Sequence, residues 1–379
     1  MKFVPRVIHE RFMKRLLPGK VLILLGSRRT GKTVFIKKVI ENLKEPYLLL
    51  NGEDVDAADQ LRKRSVENYK RLLGNRKVLI IDEAQKIEDI GMKLKLMADE
   101  IKGIKIIATG SSVFDLTYRL GEPLTGRSST FYIYPLAQME LAKTENAIQT
   151  HARLEERLIY GSYPELTSKK SAEEKVEYLK EIVSSYLLKD LLVFDNVRNS
   201  SKLFDLLRLI AFQIGKEVSY HELANQLGIS KNTVERYLDL LSKVFVIYKL
   251  QGFSRNLRKE ITKSSKWYFF DNGIRNTLIA NHNLLHMRND VGELWENYMI
   301  SERIKYQSYT GLLSNNYFWR TYEQQEIDWV EERQGKLFAY EIKWKAGKKK
   351  RAPSAWKATY KNSKFEIIHP GNYLDWIGG

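Results

Sequence analysis

Gly26-Ser27-Arg28-Arg29-Thr30-Gly31-Lys32-Thr33 satisfies the phosphate-binding pattern G-x-x-x-x-G-K-[ST] at every defined position. Its surroundings are those the pattern requires. Val21 to Leu25 is a short apolar run that reads as a buried strand, and Val34 to Leu43 reads as the helix after it. Glycines at both ends let the loop wrap closely, so that backbone N–H groups point at an anion and the helix N-terminus adds its positive dipole end. Lys32 is then placed for the β- and γ-phosphates and Thr33 for Mg²⁺, leaving one metal contact to an acid on another strand. These features predict an α/β core that binds ATP.

Such an acid ends the run Val78-Leu79-Ile80-Ile81-Asp82-Glu83, with Asp82 expected in the Mg²⁺ shell and Glu83 beside the attacking water. A chance Gly-rich turn, with Asp82 and Glu83 merely capping a helix, accounts for either motif alone; the pair makes that reading poor. A third strand, Lys105 to Gly110, ends in Thr109, Ser111 and Ser112, where a hydroxyl could sense the γ-phosphate, although polar residues there also suit a turn. Gly126-Arg127 precedes Phe131 to Leu136, read as the next strand, so Arg127 is expected near the sheet's edge and able to act on a neighbour.

These stretches, with GSYPEL, YFFDNGIRN, GELWENY, EIDWV and YEIKW further on, resemble bacterial and archaeal AAA+ type ATPases. Members of that family follow the ATPase core with a helical segment, a winged helix and an uncharacterised C-terminal domain. The likeness spans nearly the whole chain. It implies that Arg127 is a finger directed into an adjacent subunit's ATP, and hence a homo-oligomer.

A chain of 379 residues exceeds one ordinary core and suggests two to four domains. No stretch approaches the ~18 apolar residues of a spanning helix, the N-terminus MKFVPRVIHERF lacks a secretory apolar region, and the cytoplasm is the expected location, with no membrane partner. The absence of cysteine excludes disulfides and thiolate–metal sites. A net charge of +17 and a pI near 9.6 agree with an anionic polymer, nucleic acid being the simplest and DNA favoured over RNA. Lineage bias could produce the same basicity, and the densest basic run, Lys343 to Arg351, also reads as a solvated loop.

The expected fold class is a multidomain α/β chain: a P-loop AAA+ core with a parallel sheet (1–141), a helical lid (142–199), a winged helix (200–275) and a C-terminal α/β domain resembling restriction endonucleases (285–379). Gly161-Ser162-Tyr163-Pro164 must interrupt the helical stretch. Ser219 and Glu222 read as a capping box, Gly228 as a helix end and Ser230 as the next cap, a helix-turn-helix pattern. Val234, Tyr237, Leu238, Leu241 and Phe245 would face inward, and Lys231, Asn232, Glu235 and Arg236 outward. That second helix could enter a major groove or serve as a packing module.

Near the C-terminus, Glu326 to Val330 and Phe338 to Trp344 alternate as strands of a hairpin joined by a turn over Glu331 to Lys336. Glu341 and Lys343 are two apart and share a side. Asp328, Glu341 and Lys343 fit the D…E-x-K arrangement of the PD-(D/E)XK nucleases, and Glu296 is similar to the helix-borne acid of many members. Glu296, Asp328 and Glu341 would hold a second divalent ion, Mg²⁺ or Mn²⁺, while Lys343 steadies hydroxide. Alternating Glu and Lys on a strand is also an ordinary ion-pair pattern, and the fold serves elsewhere as a binding platform.

The expectation is therefore an ATP-hydrolysing protein acting on nucleic acid, with metal-dependent cleavage as a further activity. The rival is an ATP-controlled switch or assembly factor that grips protein partners and whose C-terminal domain is catalytically silent.

Overall fold

The computed structural model describes residues 3–111, 124–187, 200–254, 265–345 and 351–378. Ser112 and residues 346–350 of the basic run lie outside them. Two compact units emerge: an N-terminal one of residues 6–134 with 243–245, and a C-terminal one of residues 1–5, 135–242 and 246–379.

The N-terminal unit holds five parallel strands: β1 (Val21–Leu25), β2 (Tyr47–Asn51), β3 (Val78–Asp82), β4 (Lys105–Gly110) and β5 (Ser128–Tyr132), in the order β2-β3-β4-β1-β5. Val21–Leu25 and Val78–Ile81 are buried throughout, as continuous apolar runs covered on both faces must be. β5 begins at Ser128, three residues before its expected start, because β1 pairs its five residues with Ser128–Tyr132. As an edge strand it tolerates those serines. Helix α1 (Lys32–Glu41) starts two residues earlier than expected, since Gly31, at φ 93°, turns the loop straight into the helix.

The C-terminal unit is mixed. Its helices include α2 (Leu154–Tyr160), α3 (Ser200–Phe212), α4 (Tyr220–Leu227), α5 (Lys231–Lys243), α6 (Asn272–Leu278), α7 (Val291–Thr310) and α8 (Ser354–Thr359). Its strands are β6 (Glu217–Val218), β7 (Ile247–Gly252), β8 (Ser265–Phe269), β9 (Asn315–Arg320), β10 (Glu326–Arg333), β11 (Lys336–Ile342) and β12 (Lys364–Ile368). They form one sheet, β12-β11-β10-β9-β7-β8-β6, closed across its middle by the parallel pairing of Gln251 with Tyr317 and Gly252 with Phe318. The stretches 142–199, 200–275 and 285–379, expected as three domains, thus share one compact unit, and a single sheet crosses the last boundary. Separate wing and C-terminal sheets would each have left an open edge there.

The helix-turn-helix expectation survives locally, with corrections. Gly228 sits in the left-handed region after α4, and Val234, Tyr237, Leu238 and Leu241 are buried on α5. Ser219 caps by accepting from Glu222 N, 3.4 Å away. Phe245 lies beyond the end of α5, at φ 60°.

α7 is buried along almost its whole length, with charges included. Arg303 forks onto Glu331 at 2.6 and 3.0 Å, and Lys305 donates to Glu302 at 2.7 Å. Glu331, expected in a turn, is therefore a fully buried strand residue. The turn shrinks to Gln334-Gly335, both at positive φ, the two-residue form whose twist suits a hairpin.

Candidate nucleotide site and C-terminal carboxylate cluster

The carboxyl ends of β1, β3 and β4 bring the N-terminal motif residues together, where open parallel sheets bind ligands. Gly26 leaves β1 against the Ile133 carbonyl, which any Cβ would overlap. Arg29 and Gly31 take positive φ, and Thr30 Oγ1 donates to Ser27 O at 2.8 Å, fixing the loop's curl. Lys32, 6% exposed, folds back to donate to Gly26 O at 2.9 Å and Ser27 O at 3.2 Å. Its ammonium lies over the loop that would hold phosphates.

Thr33 Oγ1 donates to Asp82 Oδ2 at 2.9 Å, and the other Asp82 oxygen accepts from Thr109 Oγ1. Glu83 N donates to Thr109 Oγ1 at 3.1 Å. Glu83 has left-handed backbone, φ 50° and ψ 43°, and its carbonyl packs so closely on Gly52 that a Cβ there would overlap it. One Glu83 carboxylate oxygen accepts from Gln85 Nε2 at 2.5 Å, and Gln85 also reaches Ser111 Oγ at 3.3 Å. Sequence reasoning missed Gln85, though it stands two residues after Glu83. Arg127 lies at the opposite end of the sheet, its carbonyl accepting from Val21 N at the start of β1. A five-residue strand, roughly 16 Å, separates it from the loop, and Asp99 Oδ1 holds its Nε at 2.5 Å.

In the C-terminal unit, β10 carries one extra residue against β9 between Ile327 and Val330. Such a bulge re-aims a side chain: Ile327 and Val330 both enter a hydrophobic cluster with Trp319, Leu337, Ala339 and Trp356, while Asp328 turns to accept from Ile342 N at 2.8 Å. Lys343 Nζ stands 3.8 Å from Asp328 and 3.2 Å from Glu341. Glu296 arrives from α7 and accepts from Tyr268 Oη at 2.6 Å. Burial, with Asp328 nearby, pushes its carboxyl up to about 7, and burial likewise raises Asp328.

So the four residues read from the sequence do converge, together with three that were missed, Lys266, Tyr268 and Glu326. Lys266, on β8 and 4% exposed in its side chain, is ion-paired with Glu326. Burial works against its charge, but Glu296, Glu326 and Asp328 outweigh it and raise its pKa. Among the described residues, no three carboxylate or imidazole groups are placed to hold a metal ion, so the expected second metal site on Glu296, Asp328 and Glu341 finds no support. Only proximity in space exposes Lys266, since it precedes the D…E-x-K pattern by some sixty positions.

Comparison with known proteins agrees with the N-terminal architecture. Residues 18–142 match the family described as AAA domain; residues 151–285 and 291–376 match two domains of unknown function, DUF8612 and DUF4143. A solved Walker-type ATPase of Pyrococcus abyssi is similar over 71% of this chain and 93% of its own, with TM-score 0.51 and 17% identity. The N-terminal unit has the fold of a P-loop ATPase domain. An uncharacterized protein of Methanocaldococcus jannaschii is 26% identical over 290 residues, covering 70% of this chain and 64% of its own length. One of Mycobacterium tuberculosis is 25% identical over 340 residues, 88% of this chain and 72% of that protein. Among the described residues no helix is long and apolar enough to cross a membrane.

Proposed function

We propose that the chain is an Mg²⁺-dependent ATP hydrolase of the AAA+ type that acts on nucleic acid. The observation that carries this is the hydrogen-bonded chain Thr33–Asp82–Thr109–Glu83 beside the phosphate-binding loop. Loop N–H groups from Gly26 to Thr33, including those of Ser27, Arg28 and Thr30, would cradle the phosphates, and Lys32 would exchange its loop carbonyls for phosphate oxygens. Thr33 Oγ1 and Asp82 Oδ2 are hard oxygen donors already in contact, a pair that suits Mg²⁺, which when bound neutralises phosphate charge. Glu83 takes a proton from water as its oxygen attacks the γ-phosphorus and the bond to the β–γ bridging oxygen breaks, leaving ADP and phosphate. Thr109 ties the metal carboxylate to the backbone of Glu83. Arg127, too far from its own loop, would complete the site of a neighbouring copy in a homo-oligomer.

The order α3-β6-α4-α5-β7-β8 with strands arranged β6-β8-β7 supports the reading of this stretch as a winged helix, which a helical lid would precede, and a net charge of +17 supports a nucleic-acid target. The order α7-β9-β10-β11-α8-β12 supports the nuclease-like reading of the last domain as a platform. A second reading, a switch that grips protein partners, is favoured by α5, whose exposed face adds Asp239 to Glu235 beside Lys231 and Arg236. For the hydrolase itself, Glu83→Gln should keep ATP affinity within a few-fold while turnover falls at least 100-fold, measured by equilibrium binding and phosphate release. Turnover near the wild-type rate would remove Glu83 from the mechanism.

A further inference from the structure

We infer that Lys266 is the resident cation of the C-terminal carboxylate cluster, standing where a nuclease of this fold would hold a divalent metal, so that the domain as folded does not cut phosphodiesters. A restriction-endonuclease-like domain implies a metal on its acids, and the residues present do not fit one. Glu326 is ion-paired with the buried Lys266 ammonium, whose charge also faces Glu296 and Asp328 and lies 5.3 Å from the centre of the Phe318 ring. Lys343 adds a second ammonium, 3.8 Å from Asp328 and 3.2 Å from Glu341. Protein donors already engage one oxygen each of Glu296 and Asp328, from Tyr268 at 2.6 Å and Ile342 N at 2.8 Å. A metal entering here would meet an ammonium that cannot retreat to solvent, and like charges at such range repel strongly.

The fold delivers this lysine deliberately. β8 and β10 are three strand spacings apart in the sheet order, about 14 Å if flat, at the limit of the combined reach of one lysine and one glutamate. Direct pairing of Lys266 with Glu326 therefore spans the two intervening strands, β7 and β9. Arg320 of β9 meets Glu217 of β6 at 2.8 Å across β7 and β8, a second bridge over the β7–β9 junction. The ribbon following the helix-turn-helix thus supplies the counter-ion to the C-terminal cluster, and the two parts of the sheet are joined by charge as well as by backbone pairing.

The test is Mn²⁺ binding to the full chain without nucleotide, followed by electron paramagnetic resonance, for wild type, Asp328→Asn, Lys266→Met and Lys266→Met/Asp328→Asn. The expected result is no binding lost in Asp328→Asn for the wild type up to millimolar Mn²⁺. Lys266→Met should bind at least tenfold more tightly than wild type, and the double variant should lose that gain. Should Lys266→Met fail to fold by circular dichroism, Lys266→Gln, which keeps a polar end toward Glu326, takes its place. Wild-type Mn²⁺ binding abolished by Asp328→Asn would overturn the inference, as would a folded Lys266 variant with no gain. ATP turnover is not the readout, so this outcome is separate from that of the hydrolase reading.

Discussion

Glu83 and Gln85 show how single side chains are fixed by their neighbours. The Gln85 amide must present its nitrogen to the Glu83 carboxylate, because its oxygen would be repelled there, and the same nitrogen spans to Ser111. His282 is a residue of another kind, structural and pH-sensitive. It lies parallel to the Tyr160 ring at 6.1 Å, and its Nε2 is 3.1 Å from Thr277 Oγ1. Burial first, and then Arg288 and Lys180, push its imidazole down to about 4. A base with a lowered folded pKa takes up its proton in the unfolded chain first, so stability is whole above the unfolded value, about 6.5, and falls as pH drops toward 4. After discounting for partial exposure, wild type should lose on the order of 1 kcal/mol more between pH 7.5 and pH 5 than His282→Gln. Urea unfolding at both pH values measures the difference, and identical losses would contradict it.

At the scale of elements, two quoted motifs explain one another. GSYPEL ends α2 at Gly161, and YFFDNGIRN opens α6 behind Asp271. Asp271 accepts from Ser162 N at 2.7 Å and from Ile274 N at 3.2 Å. Asn276 satisfies the last carbonyls of α2, Leu158 O at 3.0 Å and Ile159 O at 2.7 Å, and Asn272 reaches on to Leu294 O of α7 at 3.1 Å. Gly161 is required twice over: φ 76° with ψ −159° is open essentially to glycine alone, and a Cβ would overlap the Asp271 carboxylate. Gly161→Ala should therefore cost at least about 2 kcal/mol, whereas Gly292→Ala, in open space on α7, should be neutral or stabilising by up to ~1 kcal/mol. Denaturant melts of the two variants decide; equal stabilities would refute the clasp.

Local pattern carried much of this molecule. The phosphate-binding loop, the acid-terminated strand and the Gly228 turn were legible because adjacent residues write them. What stayed hidden depends on distant partners. The single seven-stranded sheet rests on a two-residue pairing of β7 with β9, far too short to leave a sequence signal. Nothing local in the sequence marks Arg303 or Glu331 as buried, yet both are, each as the other's partner. Lys266 carried no motif at all.

At the scale of the whole molecule, the central claim is ATP hydrolysis at the loop Gly26 to Thr33, coupled to nucleic acid. Phosphate release from ATP, followed for wild type and Lys32→Ala with and without duplex DNA, tests it most directly. Wild type should turn over ATP and be stimulated by DNA, and Lys32→Ala should fall to background in both conditions. Turnover by Lys32→Ala at the wild-type rate would contradict the site; wild-type turnover indifferent to DNA would contradict the nucleic-acid target and leave the protein-directed switch.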